Sequence, residues 1–218
     1  MRGIVFDTCT ERGVLAIVDG TTVIFQALLP FGLQNAQLLL PKLHEGLSET
    51  QLSLNALDYI AVGVGPGSYT GIRVGATAAK TLAYACQLPL IGICTLDAFV
   101  PDREGPFAVV IDAKIGGVYM QTGIQQKGSL EKTSGPLICA VDEAVKRLQG
   151  IPTLVTPNAE KIRPKFEPAF SGHWIETAPS CQRLANLAQT QLKAGNTKPF
   201  ELLYMRKTQA ELEKINNR

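Results

Sequence analysis

Histidine, tryptophan and paired cysteines are scarce in this 218-residue sequence. Its two histidines, His44 and His173, stand 129 positions apart. That separation excludes a helical His pair of the zinc-hydrolase kind, and neither is expected to be a metal ligand or a catalytic base. The five cysteines, Cys9, Cys86, Cys94, Cys139 and Cys181, include no Cys-x-x-Cys and have no histidine nearby. They are expected to be buried reduced thiols rather than disulfides or zinc ligands. No apolar run approaches the ~18 residues of a membrane span, and no charged-then-apolar leader opens the chain. A soluble, cytoplasmic protein with no membrane contact is expected. Net charge is only +2. With no dense basic run, nucleic-acid binding is not indicated by charge alone. The tail "RKTQAELEKINNR" alternates signs, as a solvated helix does.

What is present is hydrophobic: 45% of the residues, enough for one large domain or two small ones. "GIVFD" (Gly3–Asp7) reads as a strand ending in an acid. A hairpin about Asp19-Gly20 follows, then a helix from about Asn35 with Leu39, Leu43 and Leu47 in register and Pro41 inside it. "DYIAVGV" is a strand, Gly71 to Ala85 a helix, "LPLIGI" a strand, and "TLDAFV" opens a helix with Thr95 as its N-cap. After Pro101–Pro106 the plan restarts. "VVIDAKIGGVYMQTG" repeats "IVFDTCTERGVLAIV" with a one-residue gap, again placing an acid, Asp112, at the end of a strand. Later come a helix in "DEAVKRLQG", a strand in "PTLVT" and a helix from Ser180 to Gly195. The stretch 157–174 is not legible. Two units are expected, 1–100 and 101–218, with a last helix at about 203–218 packing back on the first.

The most distinctive stretch is "AVGVGPGSYTGIRVGATAAKTLAYA". Its glycine turn is not a Walker A loop, because no lysine follows Thr70. It is not Gly-x-Gly-x-x-Gly, because Thr70 stands at the third glycine. It is not a nucleophile elbow, because Pro66 stands two residues before Ser68. Two readings stay open. Gly65 and Gly67 supply positive φ for a tight strand-to-helix turn, which local physics favours, or the turn's amides form a generic anion site. Beyond it Gly71, Gly75, Ala76, Ala79 and Ala83 form one side-chain-poor ridge. This ridge packs on the chain's own sheet or receives a partner helix; the partner helix is the sharper reading, with Val74, Ala78 and Leu82 on the other side free to serve the sheet. Asp7 and Asp112 are cleft candidates that would hold magnesium through water, or else acids that cap turns. No convergent nucleophile, base and oxyanion set is found.

"GPGSYTGIRVG" (Gly65–Gly75) resembles the hallmark of the TsaB family, also called YeaZ. "FDTCTERGVLAI", "LPLIGICTLDAF", "IDAKIGGVY" and "ELLYMR" resemble further family segments in the same order. The resemblance implies an α/β fold of the actin/Hsp70-like (ASKHA) type, with two ribonuclease-H-like lobes and mixed sheets. It implies a non-catalytic subunit of the machinery that transfers threonylcarbamoyl to adenosine 37 of tRNAs. The partner would be TsaD, with TsaE joining, and tRNA would be met through the complex. The ridge leaves an apolar patch to cover, so without its partner the chain is expected to self-associate as a two-fold homodimer. The partner surface would be the first two helices, through Asn35, Leu39, Leu43, Gly71, Val74, Gly75, Ala76, Ala79 and Ala83. Gly65, Pro66, Gly67, Ser68, Tyr69, Thr70 and Arg73 would be a structural turn or a nucleotide contact at that interface. No cofactor of its own is implied: ATP or ADP would lie at the interface, and metal would belong to TsaD, whose His-x-x-x-His is lacking here. The chain departs from the family at Asn35-Ala36-Gln37, at Lys114 and at Gly117. It also has Cys9 where the superfold's phosphate motif has glycine, which counts against nucleotide binding in the cleft. The competing readings are a stand-alone ASKHA ATPase or small-molecule kinase, and a peptidase. The latter needs a metal pair or an activated serine, and neither is found.

Overall fold

The computed structural model describes residues 1–30, 35–114, 117–167, 169–195 and 199–205. The chain opens with an antiparallel meander, β1 (Arg2–Asp7), β2 (Val14–Asp19) and β3 (Thr22–Leu28). Gly20, at φ +58°, makes the expected hairpin turn. Helix α1 (Asn35–Glu49) leads to β4 (Tyr59–Gly63), and helix α2 (Tyr69–Cys86) leads to β5 (Leu90–Ile93). Both of these strands run parallel to β1, giving a sheet in the order β3-β2-β1-β4-β5. Strand β1 is central and buried on both faces, which is why it reads as an unbroken apolar run. Ile4 and Phe6 face one core, Val5 the other.

The restart is real. Strands β6 (Gly105–Asp112), β7 (Gly117–Gln126), β8 (Ser129–Lys132) and β9 (Leu137–Ala140) are followed by helix α3 (Val141–Arg147). Then come β10 (Thr153–Thr156), helix α4 (Ala159–Phe166) and β11 (His173–Glu176). The second sheet has the order β11-β10-β6-β7-β8, with β9 also pairing β7. Its first two strands are antiparallel, and β10 joins β6 in parallel, as β4 joins β1. The register accounts for the gap in the repeat. Asp7 lies opposite Val14 and Asp112 opposite Val118, so the second hairpin loop is one residue shorter.

Three expectations change. First, the boundary at 100/101 is crossed back. The last helix among the described residues, α5 (Cys181–Lys193), packs Leu184, Ala185 and Ala188 on Val5, Ala16, Tyr59 and Ile91 of the first sheet. The first lobe is therefore built from both ends of the chain. A further piece, 199–205, without helix or strand, also returns to it: Phe200 packs on the α1/α2 core, and the Leu203 amide donates to the Val64 carbonyl at 2.8 Å. Of the expected terminal helix only 203–205 are described, and they are not helical; the rest lies outside the described residues. Second, Thr95 does not cap a helix. It begins a single 3₁₀ turn, Thr95–Ala98, because its hydroxyl is spent on Asp7. Third, the illegible stretch holds α4, capped by Asn158 accepting from the Lys161 amide at 3.2 Å, and β11.

The return of α5 can be tested. Leu184 is fully buried in the first lobe's core. Leu184→Ala should cost about 2–5 kcal/mol in urea unfolding, the range for deleting a buried leucine side chain. Hydrogen exchange should place the loss in β1, β2 and β5. Loss confined to the second sheet would contradict this packing.

Candidate functional site

The glycine turn lies between β4 and α2. Gly65 has φ +102°, and an added Cβ there would lie 2.8 Å from the Leu203 carbonyl oxygen. Its peptide bond to Pro66 is cis. Gly67 does not hold the expected positive φ. Its requirement is space: a Cβ on Gly67 would collide with the Cys9 carbonyl, and one on Gly71 with the Thr8 carbonyl. The turn is docked on the loop that follows β1. The Ser68 amide donates to the Cys9 carbonyl at 2.6 Å, and the Thr8 hydroxyl donates to the Gly71 carbonyl at 2.7 Å. The Ser68 hydroxyl caps α2 by accepting from the Gly71 amide. An anion at the Ser68 amide would have to displace the Cys9 carbonyl, and the close approach of the Thr8 and Cys9 carbonyls favours the structural reading of the turn.

The small-residue ridge faces inward, contrary to expectation. Gly75, Ala76, Ala79 and Ala83 are buried, and Ala79 and Ala83 belong to the core against β1 and β4. A Cβ on Gly75 would lie 2.5 Å from the Thr8 hydroxyl oxygen. The ridge lets α2 sit close to its own sheet and to the loop after β1. The other side, Val74, Ala78 and Leu82, is half-buried, with Ala78 and Leu82 against the core that includes α1. Leu39 and Leu43 of α1 are likewise buried. Asn35 begins α1, and its side chain lies outside the described residues. Among the residues that α1 and α2 offer to solvent are Leu40, 55% exposed, Thr77, Tyr84, 89% exposed, and a cluster at the start of α2. There the Arg73 guanidinium lies 4.1 Å from the Tyr69 ring centre, and its Nε donates to the Tyr204 hydroxyl at 3.3 Å. The Tyr69 and Tyr204 rings are 5.1 Å apart. Thr70 is exposed beside them.

The two strand-end acids are each satisfied within their own lobe. Asp7 is fully buried; it accepts from the Cys9 amide at 2.7 Å and the Thr95 hydroxyl at 2.8 Å. A Cβ on Gly63 would collide with its carboxylate, so glycine is needed beneath it. Burial raises the Asp7 carboxyl above its ordinary value, and these hydrogen bonds only partly offset the effect. Burial, with the Asp7 charge adding to it, pushes the neighbouring Cys9 thiol up well above its usual range. The Cys9 side chain reaches the Gly63 carbonyl at 3.3 Å, filling space that glycine would leave open. Asp112 pairs with Lys165 at 2.5 Å and accepts from the Lys114 amide at 2.9 Å. The two acids therefore share no ligand, and among the described residues no group of three His, Cys, Asp or Glu could hold a metal ion. Sequence reasoning missed Thr95 and Tyr204 as members of the site. Thr95 reads as a cap, and although 203–218 is expected to pack back on the first unit, nothing local pairs Tyr204 with Tyr69 and Arg73.

A family model described as "TsaD: tRNA N6-adenosine threonylcarbamoyltransferase" matches residues 34–203. The "tRNA threonylcarbamoyladenosine biosynthesis protein TsaB" of Escherichia coli is 33% identical over 162 residues, 69% of this chain and 68% of that protein. The chain belongs to the TsaB family. The protein of the same description from Bacillus subtilis is 28% identical over 217 residues, 95% of this chain and 87% of its own length. A Pseudomonas aeruginosa crystal structure, described as an uncharacterized protein with similarity to peptidase YEAZ, superposes with a TM-score of 0.78 at 21% identity. That match covers 94% of this chain and 99% of the other, and it shows the fold: α/β, two lobes, actin/Hsp70-like. No helix among the described residues is long and apolar enough to cross a membrane.

Asp7 gives a test with a defined sign. Its carboxyl titrates above the ordinary 3.8 in the folded chain. Between those values the folded state keeps a proton that the unfolded state has lost, so stability falls as pH rises through the window and stays lowered above it. Asp7→Asn removes that loss, because the carboxamide still accepts from Cys9 and the Thr95 hydroxyl can turn to accept. Relative to the parent, the variant should gain stability from about pH 4 upward and match it at lower pH. Thr95→Val, which takes a donor from the buried carboxylate, should cost about 1–3 kcal/mol at neutral pH. Urea melts across pH check both; an Asn variant that loses ground as pH rises would mean the donors outweigh burial.

Proposed function

We propose that this chain is a non-catalytic subunit of tRNA threonylcarbamoyladenosine biosynthesis. It binds a TsaD-type transferase, and with it TsaE, in the complex that modifies adenosine 37 of tRNAs. Similarity to TsaB proteins from two bacteria supports the pathway. The observation that carries the non-catalytic reading is the state of the strand-end acids: Asp7 is sealed under Thr95 and Cys9, and Asp112 is held by Lys165. An ASKHA enzyme needs carboxylates at these strand ends turned toward a nucleotide-bound metal. Here each is answered by protein. Reconstitution tests this. The purified chain should neither hydrolyse ATP nor modify tRNA. Modification should require TsaD, TsaE, ATP, bicarbonate, threonine and the enzyme that makes threonylcarbamoyl-adenylate. ATPase activity that survives repurification and disappears in the Asp7→Asn, Asp112→Asn double variant would overturn the proposal in favour of a stand-alone enzyme.

The partner surface in this reading is the outer face of α1 and α2, not the ridge. Leu40 and Tyr84 give it exposed apolar area, which a lone subunit covers by pairing with a second copy about a two-fold axis. ATP or ADP would be met at the same interface beside Tyr69 and Arg73, and any metal would come from TsaD. Leu40→Arg and Thr77→Arg place long charged side chains at exposed positions. They should leave the fold intact, abolish the homodimer in light scattering and weaken TsaD binding at least tenfold. Ala79→Arg should instead unfold the first lobe, because Ala79 is fully buried. Surface variants that stay dimeric and bind TsaD normally would move the interface off these helices.

A further inference from the structure

The loop after β1 meets the carboxyl ends of β10 and β11 and the start of α4, and charged side chains bridge them. From the loop after β1, Glu11 accepts from Lys161 of α4 at 2.7 Å. Its neighbour Arg12 donates from Nε to the Pro157 carbonyl at 2.7 Å and pairs through its terminal nitrogen with Glu176 at the end of β11. The second oxygen of Glu176 accepts from the Ala159 amide at 2.7 Å, which holds this carboxylate at the start of α4. Two ion pairs of opposite polarity thus cross between the lobes within two consecutive residues of one loop. Beside Lys161 the acid Asp112 is held by Lys165.

A different kind of contact joins the lobes at the 3₁₀ turn after β5. Leu96 and Phe99 pack with Phe107, Val109, Ile111 and Tyr119 of the second sheet. Asp97, nearly buried, accepts from Gln121 at 2.8 Å and Lys132 at 2.5 Å. This contact is built on a buried apolar cluster, with one ion pair at its rim whose acid is enclosed and whose lysine is exposed, whereas the Glu11 and Arg12 contacts belong to no apolar cluster among the described residues and are half-exposed.

We propose that Glu11, Arg12, Lys161 and Glu176 form an electrostatic latch that closes the two lobes over the ends of β1 and β10, with the Leu96–Phe99 contact as the hinge. Half-exposed ion pairs each shift an equilibrium by only about two- to five-fold. The latch is therefore shallow: it sets a closed arrangement that ionic strength loosens, while the hinge contact stays. Salt acts on the latch first, because the screening length falls from about 10 Å at 0.1 M to about 3 Å at 1 M.

The test uses the full chain, with charge reversal and a double reversal. Glu11→Lys places like charges together, as does Lys161→Glu; the double variant restores one opposite pair. At low salt each single variant should exchange amide hydrogens about two- to five-fold faster in peptides covering 8–13 and 157–162. Exchange in β1 and β6 should be unchanged, and the radius of gyration from small-angle scattering should rise. Wild type at about 1 M salt should resemble the single variants, and the double variant at low salt should return toward wild type. Singles that match wild type, or a double variant as fast as the singles, would overturn the latch. Faster exchange with no change in scattering would mean that only the loop loosens, and would equally overturn lobe closure. Equal acceleration in β1 and β6 would indicate general destabilisation and defeat the proposal.

Discussion

One buried carboxylate organises the first lobe. Asp7 ends β1 and is bound by the amide two residues on and by a hydroxyl from the 3₁₀ turn that follows β5. The conformation this imposes on Thr8 and Cys9 turns their carbonyls toward the β4–α2 turn. Gly67 and Gly71 follow from that approach, and so does the Ser68 hydrogen bond. Gly63 follows from the carboxylate itself, and Gly75 from the Thr8 side chain. The spacing of "GPGSYTG" is thus set less by what the turn might bind than by the strand end it packs against. Leaving a charged group unpaired in such a place is costly, which explains why both its oxygens have donors.

Much of the architecture could be read from the sequence. Strands ending in Asp7 and Asp112, the Asp19-Gly20 hairpin and the repeat all correspond to structure, because they rest on local turn chemistry and on two-residue alternation or unbroken apolar runs. What failed has a common cause. The small residues of α2 signal close approach, but period alone does not say whether the neighbour is another helix or the chain's own sheet. Here Thr8, sixty-odd positions away, decides it. Helix α5 was legible as a helix; that it covers β1 and β5 rather than the second sheet is a matter of long-range packing. Thr95 shows the same limit: a hydroxyl before a short apolar run looks like a cap until a buried acid claims it.

The site was legible in composition but not in state. Asp7 and Asp112 stand where the repeat placed them, yet their partners are set by the fold: Lys165 comes from a segment with no motif, and Thr95, though inside "LPLIGICTLDAF", reads locally as a helix cap. Tyr204 lies in the family-like "ELLYMR", but its contact with Tyr69 and Arg73 exists only because 199–205 returns across the turn. Resemblance supplied the family, and geometry then separated the residues that build the α2 scaffold from those left at its surface.

The return of α5 has a consequence for how the protein is made. Synthesis runs from the N-terminus, and domains generally fold as units while the chain emerges. The second sheet is complete once β11 has left the ribosome. The first sheet, though its strands emerge earlier, cannot cover the face carrying Val5, Ala16 and Ile91 until α5 follows. The part of the molecule that is translated first is therefore finished last, and through most of synthesis its apolar face is open to whatever chaperone or partner stands at the exit.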